Sequence, residues 1–186
     1  MIGFFRHPVI RMLSSWTHSP SPWGWENVKF INASKRGKDM TFQEYLQNMA
    51  GCQTKSLTRG VPYPCTEASP VKPKELDAAL EILRGFAFIG LTDEWELSIC
   101  LWHAMFGGDL YSIELANIRP HRKNVSNDVV TKITNEVRLD FADGAIYFAA
   151  KSWFHEKLLQ FDVTKEKCEK FCAQEAHELN FSIADS

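Results

Sequence analysis

Long hydrophobic runs are missing from this chain of 186 residues. No apolar stretch approaches the ~18–20 residues that a helix needs to cross a bilayer. The apolar start, residues 1–5, is too short for a signal peptide and lacks its layout. Internal repeats and low-complexity segments are also missing. The sequence therefore predicts no membrane span and no targeting segment within residues 1–186.

An excess of either charge is missing as well. Lysine and arginine together number 21, and aspartate and glutamate 23, which gives a formal net charge of −2. This balance does not favour nucleic acid or an anionic membrane as a partner. Basic residues cluster at 29–38 and 119–123, and a solvated surface is the default interpretation of each cluster. Hydrophobic residues make up 45% of the chain and charged residues 24%, a composition typical of a globular domain.

The five cysteines form no CxxC pair, so their spacing indicates neither a zinc site nor a thioredoxin-like site, and we expect no metal. Cys168 and Cys172 lie four residues apart on a predicted helix, where a disulfide between them is awkward and separate thiols are predicted. Three N-x-S sequons, at Asn32, Asn124 and Asn180, weakly favour a secretory lumen.

Two apolar runs, residues 2–6 and 86–91, predict buried strands of a parallel sheet. Residues 51–73 carry four prolines and are predicted to be irregular. Thr92 is predicted to cap the helix that follows the second strand. Apolar periodicity predicts helices over residues 8–17, 41–49, 74–84, 92–106, 139–159 and 164–178. This order predicts an α/β fold with one domain over residues 1–186 and a C-terminal helical extension over 160–186.

The first strand and helix together predict an anion site. Arg6 ends the strand as a planar donor, and Pro8 opens a helix whose first N–H groups are free to bind an anion. Ser14 lies two turns further along, and Arg11 adds positive charge one turn before it. The alternative interpretation is a salt-bridged arginine beside a capped helix.

The same residues carry a resemblance to a known family. The pattern R-x-P-x-x-R-x-x-S-x-[WY], here Arg6, Pro8, Arg11, Ser14 and Trp16, resembles the 3′-phosphate segment of sulfotransferases that use PAPS (3′-phosphoadenosine 5′-phosphosulfate). FIGLTDEWELSICLW (88–102) and LDFADGAIYFAAKSWFHEKL (139–158) look like two later blocks of the carbohydrate, Golgi-type branch. GCQTKSL (51–57) is similar to a segment that, in some members, lies between the 3′-phosphate segment and these later blocks. The resemblance therefore runs from about residue 4 to 159 in the family's order.

The resemblance implies a partial P-loop-NTPase-like sulfotransferase fold, with parallel strands flanked by helices and further strands missing before Ile2. It implies PAPS as sulfuryl donor without a metal, a hydroxyl acceptor that belongs to a carbohydrate, and a location in the Golgi lumen or membrane. Arg6 and Ser14 match the residues that hold the 3′-phosphate. Arg122 and Lys123 are our candidates for a late basic loop that completes the pocket, and the alternative for them is a solvent-exposed turn.

The departure from the family pattern concerns the other half of the donor site. No segment within residues 1–186 resembles the 5′-phosphosulfate loop or carries the general base, and no catalytic residue is assigned. We therefore expect the C-terminal part of a sulfotransferase that does not transfer sulfate by itself. The alternative is a non-catalytic fragment that binds adenosine 3′,5′-bisphosphate or an anionic glycan. A P-loop kinase relative is disfavoured because GxxxxGK[ST] does not occur.

Overall fold

Two short strands pair in parallel near the beginning and the middle of the chain. Strand β1 (Ile2–Phe5) pairs with β2 (Phe88–Leu91), with Ile2 opposite Phe88 and Phe5 opposite Leu91. Parallel neighbours need a long crossover, and here 82 residues (6–87) separate the two strands. The two strands, their parallel pairing and the burial of β2 confirm the sequence prediction. The prediction that β1 is buried is wrong, because Ile2 and Phe4 are exposed and only Phe5 of this strand is buried.

The rest of the described chain is helical. The computed structural model describes residues 1–18, 49–61, 64–66, 69–115, 131, 134–135 and 140–169. Short 3₁₀ helices cover Pro64–Thr66 and Thr92–Glu94. The α-helices are α1 (Pro8–His18), α2 (Cys52–Thr58), α3 (Pro73–Arg84), α4 (Trp95–Phe106), α5 (Ser112–Leu115) and α6 (Phe141–Gln160).

The chain divides into two compact units. We call Met1–Phe5, Phe86–His121 and Ala150–Ser186 the strand unit, and Arg6–Gly85 with Arg122–Ala149 the helical unit. Both units are built from segments that are distant in sequence, so each depends on long-range contacts. The single domain over residues 1–186 and the extension over 160–186 stay predictions.

The strand unit is built on β2, which is buried along its whole length. Phe88, Ile89 and Leu91 are each 0% exposed, as expected for a strand covered on both faces. The Ser98 hydroxyl of α4 accepts the Leu91 N–H at 2.8 Å and lies 3.0 Å from the Leu91 carbonyl oxygen. These contacts tie the end of β2 to α4.

Glycine allows the two strands to pack against aromatic rings. A Cβ on Gly90 would lie 2.5 Å from the Phe4 ring, and a Cβ on Gly3 would lie 2.7 Å from the Phe86 ring. The Phe4 ring also contacts Trp95, with the ring centroids 5.1 Å apart. Larger residues at either glycine would displace these rings.

Two helices and a disulfide organise the first half of the helical unit. Glu75 of α3 accepts hydrogen bonds from the Arg59 guanidinium at 2.6 Å and from the Thr58 hydroxyl at 3.0 Å. Cys52 and Cys65 form a disulfide with their Cα atoms 4.4 Å apart. The hydrogen bonds to Glu75 hold the end of α2 against the beginning of α3, and the disulfide ties the start of α2 to the 3₁₀ helix Pro64–Thr66.

Three sequence predictions about local structure are wrong. Residues 51–73 are not uniformly irregular, because α2 forms before the prolines begin. Thr92 does not cap the following helix; it begins a 3₁₀ helix, and α4 starts at Trp95. Cys168 is not a free thiol but is bonded to Cys100 in the strand unit, with the Cα atoms 5.9 Å apart.

Other predictions hold or fall outside the described residues. The helices expected at 8–17, 74–84 and 139–159 form within two residues of their predicted bounds. The helix predicted at 41–49 lies almost wholly outside the described residues, and of the one predicted at 164–178 the structure describes 164–169, with helix at 165–169. Among the described helices, none is long and apolar enough to cross a membrane. The P-loop-like sulfotransferase fold stays a prediction.

Candidate functional site

The predicted anion segment lies at the start of α1. Arg6 directly follows β1 in the sequence, and Pro8 is the first residue of α1 and is buried. The Arg11 N–H donates to the His7 carbonyl at 2.9 Å, which is the first bond of the helix. Ser14 lies six residues after Pro8, which is about 9 Å further along the helix axis. The local geometry therefore agrees with the predicted helix start.

Arg6 and Ser14 are both partly exposed. Both also take part in interactions within the protein. An anion that bound Arg6 and Ser14 would compete with these internal interactions. It would therefore bind less tightly than it would to two donors without such interactions.

Arg11 has a different role from the one predicted for it. Its Nη2 donates to Asp143 Oδ2 at 2.7 Å and lies 3.9 Å from Asp140 Oδ2. Its side chain is only 17% exposed. The charge of Arg11 is therefore compensated inside the helical unit, and the expectation that it adds positive charge to the anion site is corrected.

Asp143 is the acceptor at the centre of this arrangement. It is 0% exposed, and its two oxygens accept four hydrogen bonds. The donors are Arg11, the Gln53 and Thr54 backbone N–H groups at 2.9 Å each, and the Thr54 hydroxyl at 3.0 Å. Because the two N–H groups lie in the first turn of α2, a carboxylate there also complements the helix dipole. Asp143 thus links α1 and α2 to the start of α6.

Asp140, just before α6, completes the same anchor. Its Oδ1 accepts the Gly51 N–H at 3.0 Å and the Asp143 N–H at 3.2 Å. Gly51 precedes α2 with φ +71°, and a Cβ there would overlap the Val71 side chain. Glycine is therefore required for this approach of the backbone to Asp140.

This requirement predicts the effect of Gly51→Ala. We expect the free energy of unfolding to fall by about 2 kcal/mol or more, because alanine resists a positive φ and would collide with Val71. The matched control is Gly60→Ala, where an added Cβ would meet nothing within 4 Å and a change within about 0.5 kcal/mol is expected. Urea denaturation followed by circular dichroism measures both, and equal loss in the two variants would contradict this account of Gly51.

Burial and neighbouring charges shift the pKa values of three groups in the helical unit. Burial, together with the negative charge of Asp143, raises the pKa of Asp140 to about 6. Burial and then the nearby Arg59 lower the pKa of Lys55, which is 2% exposed. The hydrogen bond from Arg59 lowers the pKa of Glu75 to about 2. Asp140 is therefore the member of this cluster that takes up a proton just below neutral pH.

Three polar atoms around Asp143 are buried without a hydrogen-bond partner among the described residues. They are Arg11 Nε, Gln53 Nε2 and Asp140 Oδ2. Two are donors and one is an acceptor, and each belongs to a residue whose other atoms bond to Asp143 or lie beside it. A buried group without a partner carries a desolvation cost, which is larger when the group is charged. The stability of this part of the anchor therefore depends on whether Asp140 is ionised.

The other two predicted site residues, Arg122 and Lys123, lie outside the described residues. The His103 ring lies 3.1 Å from Glu114 and the His155 ring 3.0 Å from Glu94, so both pair with a carboxylate in the strand unit. Within the part of the chain that the structure describes, no group of His, Cys, Asp and Glu residues could hold a metal ion.

The sequence interpretation missed Asp140 and Asp143. Both were included in an apolar helical segment, although two carboxylates three residues apart at a helix start are a recognisable signal. Their partners are 89 to 132 residues away in the chain, so no local pattern shows the pairing. Comparisons with protein-family models, curated proteins and solved structures find no match to this chain.

Proposed function

We propose that this chain is part of a PAPS-dependent sulfotransferase domain that transfers a sulfuryl group to a hydroxyl on a carbohydrate. In this proposal Arg6 and Ser14 bind the 3′-phosphate of the donor, and Arg122 and Lys123 complete the pocket from a basic loop. The motif of residues 6–16 and the three later segments that resemble the family are its basis.

The observation that carries the proposal is the position of Arg6. In the sequence this residue directly follows the carboxyl end of β1 and comes two residues before Pro8, which opens α1. In α/β folds, ligands bind beyond the carboxyl ends of parallel strands, and helix starts bind phosphate through free N–H groups. A guanidinium at that junction, with Ser14 further along the helix, suits a phosphate that needs directed donors.

The reaction resembles phosphoryl transfer in its demands. An acceptor hydroxyl attacks in line, and catalysis comes from positioning and from cationic stabilisation of the transferred group. The residues proposed here hold the far end of the donor and do not contact the reacting sulfur. They contribute binding and orientation, and no residue of this chain is assigned a catalytic role.

The two disulfides support a lumenal setting for this activity. Each unit contains one of them, Cys52–Cys65 in the helical unit and Cys100–Cys168 in the strand unit. Such bonds persist in oxidising compartments and are rare in the cytosol. They agree with the Golgi lumen that the family resemblance implies.

Titration calorimetry with adenosine 3′,5′-bisphosphate tests the 3′-phosphate site. We expect the purified chain to bind in the micromolar range and Arg6→Ala/Ser14→Ala to lose at least about tenfold in affinity, because charge-assisted hydrogen bonds are lost. The control is Arg84→Ala, an exposed arginine of the same unit that pairs with Glu81 and lies on a different helix.

The outcomes test the binding site and the activity separately. Binding that depends on Arg6 and Ser14 supports the proposed 3′-phosphate site, both in the sulfotransferase and in the non-catalytic alternative. No sulfate transfer from PAPS to a glycan is expected of residues 1–186 alone, and robust transfer would contradict that expectation. Equal affinity of the wild type, the double variant and Arg84→Ala would contradict the assignment of Arg6 and Ser14.

A further inference from the structure

The anchor around Asp143 contacts the same helix that carries Ser14. Arg11 is on α1, between the two predicted phosphate residues Arg6 and Ser14, and it lies three positions before Ser14. Residues three apart on a helix share a face, while Arg11 Nη2 is held by Asp143 at 2.7 Å. The position of α1 in the helical unit therefore depends on this ion pair.

Asp140 is held less completely than Asp143. Among the described residues its buried Oδ2 has no hydrogen-bond donor, and Arg11 Nη2 is 3.9 Å away. The charged groups of the described residues that face it are Arg11 from α1, Lys55 from α2 and Asp143 from α6. With both aspartates ionised these four groups have no net charge, and with Asp140 protonated they carry one positive charge. Proton uptake thus changes the net charge around Arg11, on the helix that bears Ser14.

We propose that Asp140 and Arg11 are positioning residues for the anion site, and that proton uptake by Asp140 strengthens anion binding at Arg6 and Ser14. The inference rests on the proposed function, since it concerns the affinity of that same site. Protonation removes a negative charge that repels the phosphate and leaves Arg11 paired with Asp143 alone. By linkage, a bound anion in turn favours the protonated form of Asp140.

The sign of the accompanying stability change follows from the raised pKa of Asp140. In the folded protein Asp140 holds its proton up to about pH 6, whereas in the unfolded chain it loses it near pH 4. The folded state therefore binds more protons between these values, so its stability falls as the pH rises through this window and stays lower above it. Asp140→Asn, which keeps one acceptor oxygen for Gly51 and adds no charge, is expected to lack this dependence.

The binding test compares the wild type with Asp140→Asn at pH 5.5 and pH 7.5, with adenosine 3′,5′-bisphosphate as the probe. The ligand's own phosphate titration affects both proteins equally, so the ratio of their Kd values isolates Asp140. We expect a ratio of Kd values near one at the lower pH. At the higher pH the wild type should bind about threefold to tenfold more weakly, because the ionised Asp140 repels the phosphate. Asp77→Asn, an exposed carboxylate of the helical unit, is the matched control and should follow the wild type.

A second measurement separates the proton uptake of Asp140 from its effect on anion binding. Urea unfolding at the same two pH values reports the proton uptake of Asp140 without ligand, and the carboxyl ¹³C resonance of Asp140 in the wild type reports it without any variant. An unchanged Kd ratio despite titration near pH 6 would overturn the coupling, and no titration in that window would overturn the role of Asp140. Normal titration with no ligand binding at either pH would overturn the proposed function, and this inference with it.

Discussion

Replacing Asp143 with asparagine is expected to lower the free energy of unfolding by about 3–5 kcal/mol, the usual cost of removing one partner from a buried ion pair. The carboxylate is 0% exposed and accepts from Arg11 and from the first N–H groups of α2. An amide offers one acceptor oxygen where the site uses two, and it leaves the Arg11 charge uncompensated. Urea denaturation followed by tryptophan fluorescence and circular dichroism measures the loss.

The controls for this variant separate the ion pair from the simple loss of a carboxylate. Asp77→Asn makes the same chemical change at an exposed position of the helical unit and is expected to alter stability by no more than about 0.5 kcal/mol. Arg11→Met removes the charge together with its need for a partner, so Arg11→Met/Asp143→Asn should be less destabilised than the sum of the single variants. A stability of Asp143→Asn equal to that of Asp77→Asn would contradict the anchor.

Removal of either disulfide is expected to lower the free energy of unfolding by several kcal/mol, and the loss should be larger for the bond that closes the longer loop. Cys100 and Cys168 are 68 residues apart in the chain, and Cys52 and Cys65 are 13 apart. Loop-closure entropy predicts a loss of about 4 kcal/mol for Cys100→Ser/Cys168→Ser and about 3 kcal/mol for Cys52→Ser/Cys65→Ser. Unfolding of both variants and of the wild type, under non-reducing conditions, measures these losses.

Reducing agent provides the control for the disulfide variants. It should lower the stability of the wild type and of each double variant, because each variant keeps the other bond. The variant in which all four disulfide-bonded cysteines are replaced should not respond to the reductant. A wild type whose unfolding midpoint is the same with and without reductant would contradict both disulfides and remove their support for a lumenal setting.

The parts of the fold that were predictable from sequence are those with strong local signals. The apolar run at 86–91 identified β2, which is buried along its whole length. Pro8 marked the start of α1, and Gly85 marked the end of α3. In each case the residue that decides the structure lies inside the element or directly beside it.

The parts that escaped prediction depend on distant partners. Helix α2 has seven residues and begins after a glycine with positive φ, so its sequence alone is a weak helix signal. Its first N–H groups are satisfied by Asp140 and Asp143, which come about 90 residues later. The pairing of Cys168 with Cys100 likewise cannot be read from spacing.

The candidate site shows the same division. The strand end, the proline and the helix around Arg6 and Ser14 were predicted from the sequence and are present. The use of Arg11 was predicted wrongly, because a motif shows which residues are charged and does not show which charges are already paired. Asp143, which neutralises Arg11, lies 132 residues away.

The most direct test of the central claim is a calorimetric titration of the wild-type chain with two nucleotides, adenosine 3′,5′-bisphosphate and adenosine 5′-monophosphate. They differ only in the 3′-phosphate that Arg6 and Ser14 are proposed to hold. The account predicts that the bisphosphate binds at least about tenfold more tightly, as expected for one added charge-assisted contact. Equal affinity for the two nucleotides, or no binding of the bisphosphate by the folded chain, would contradict it.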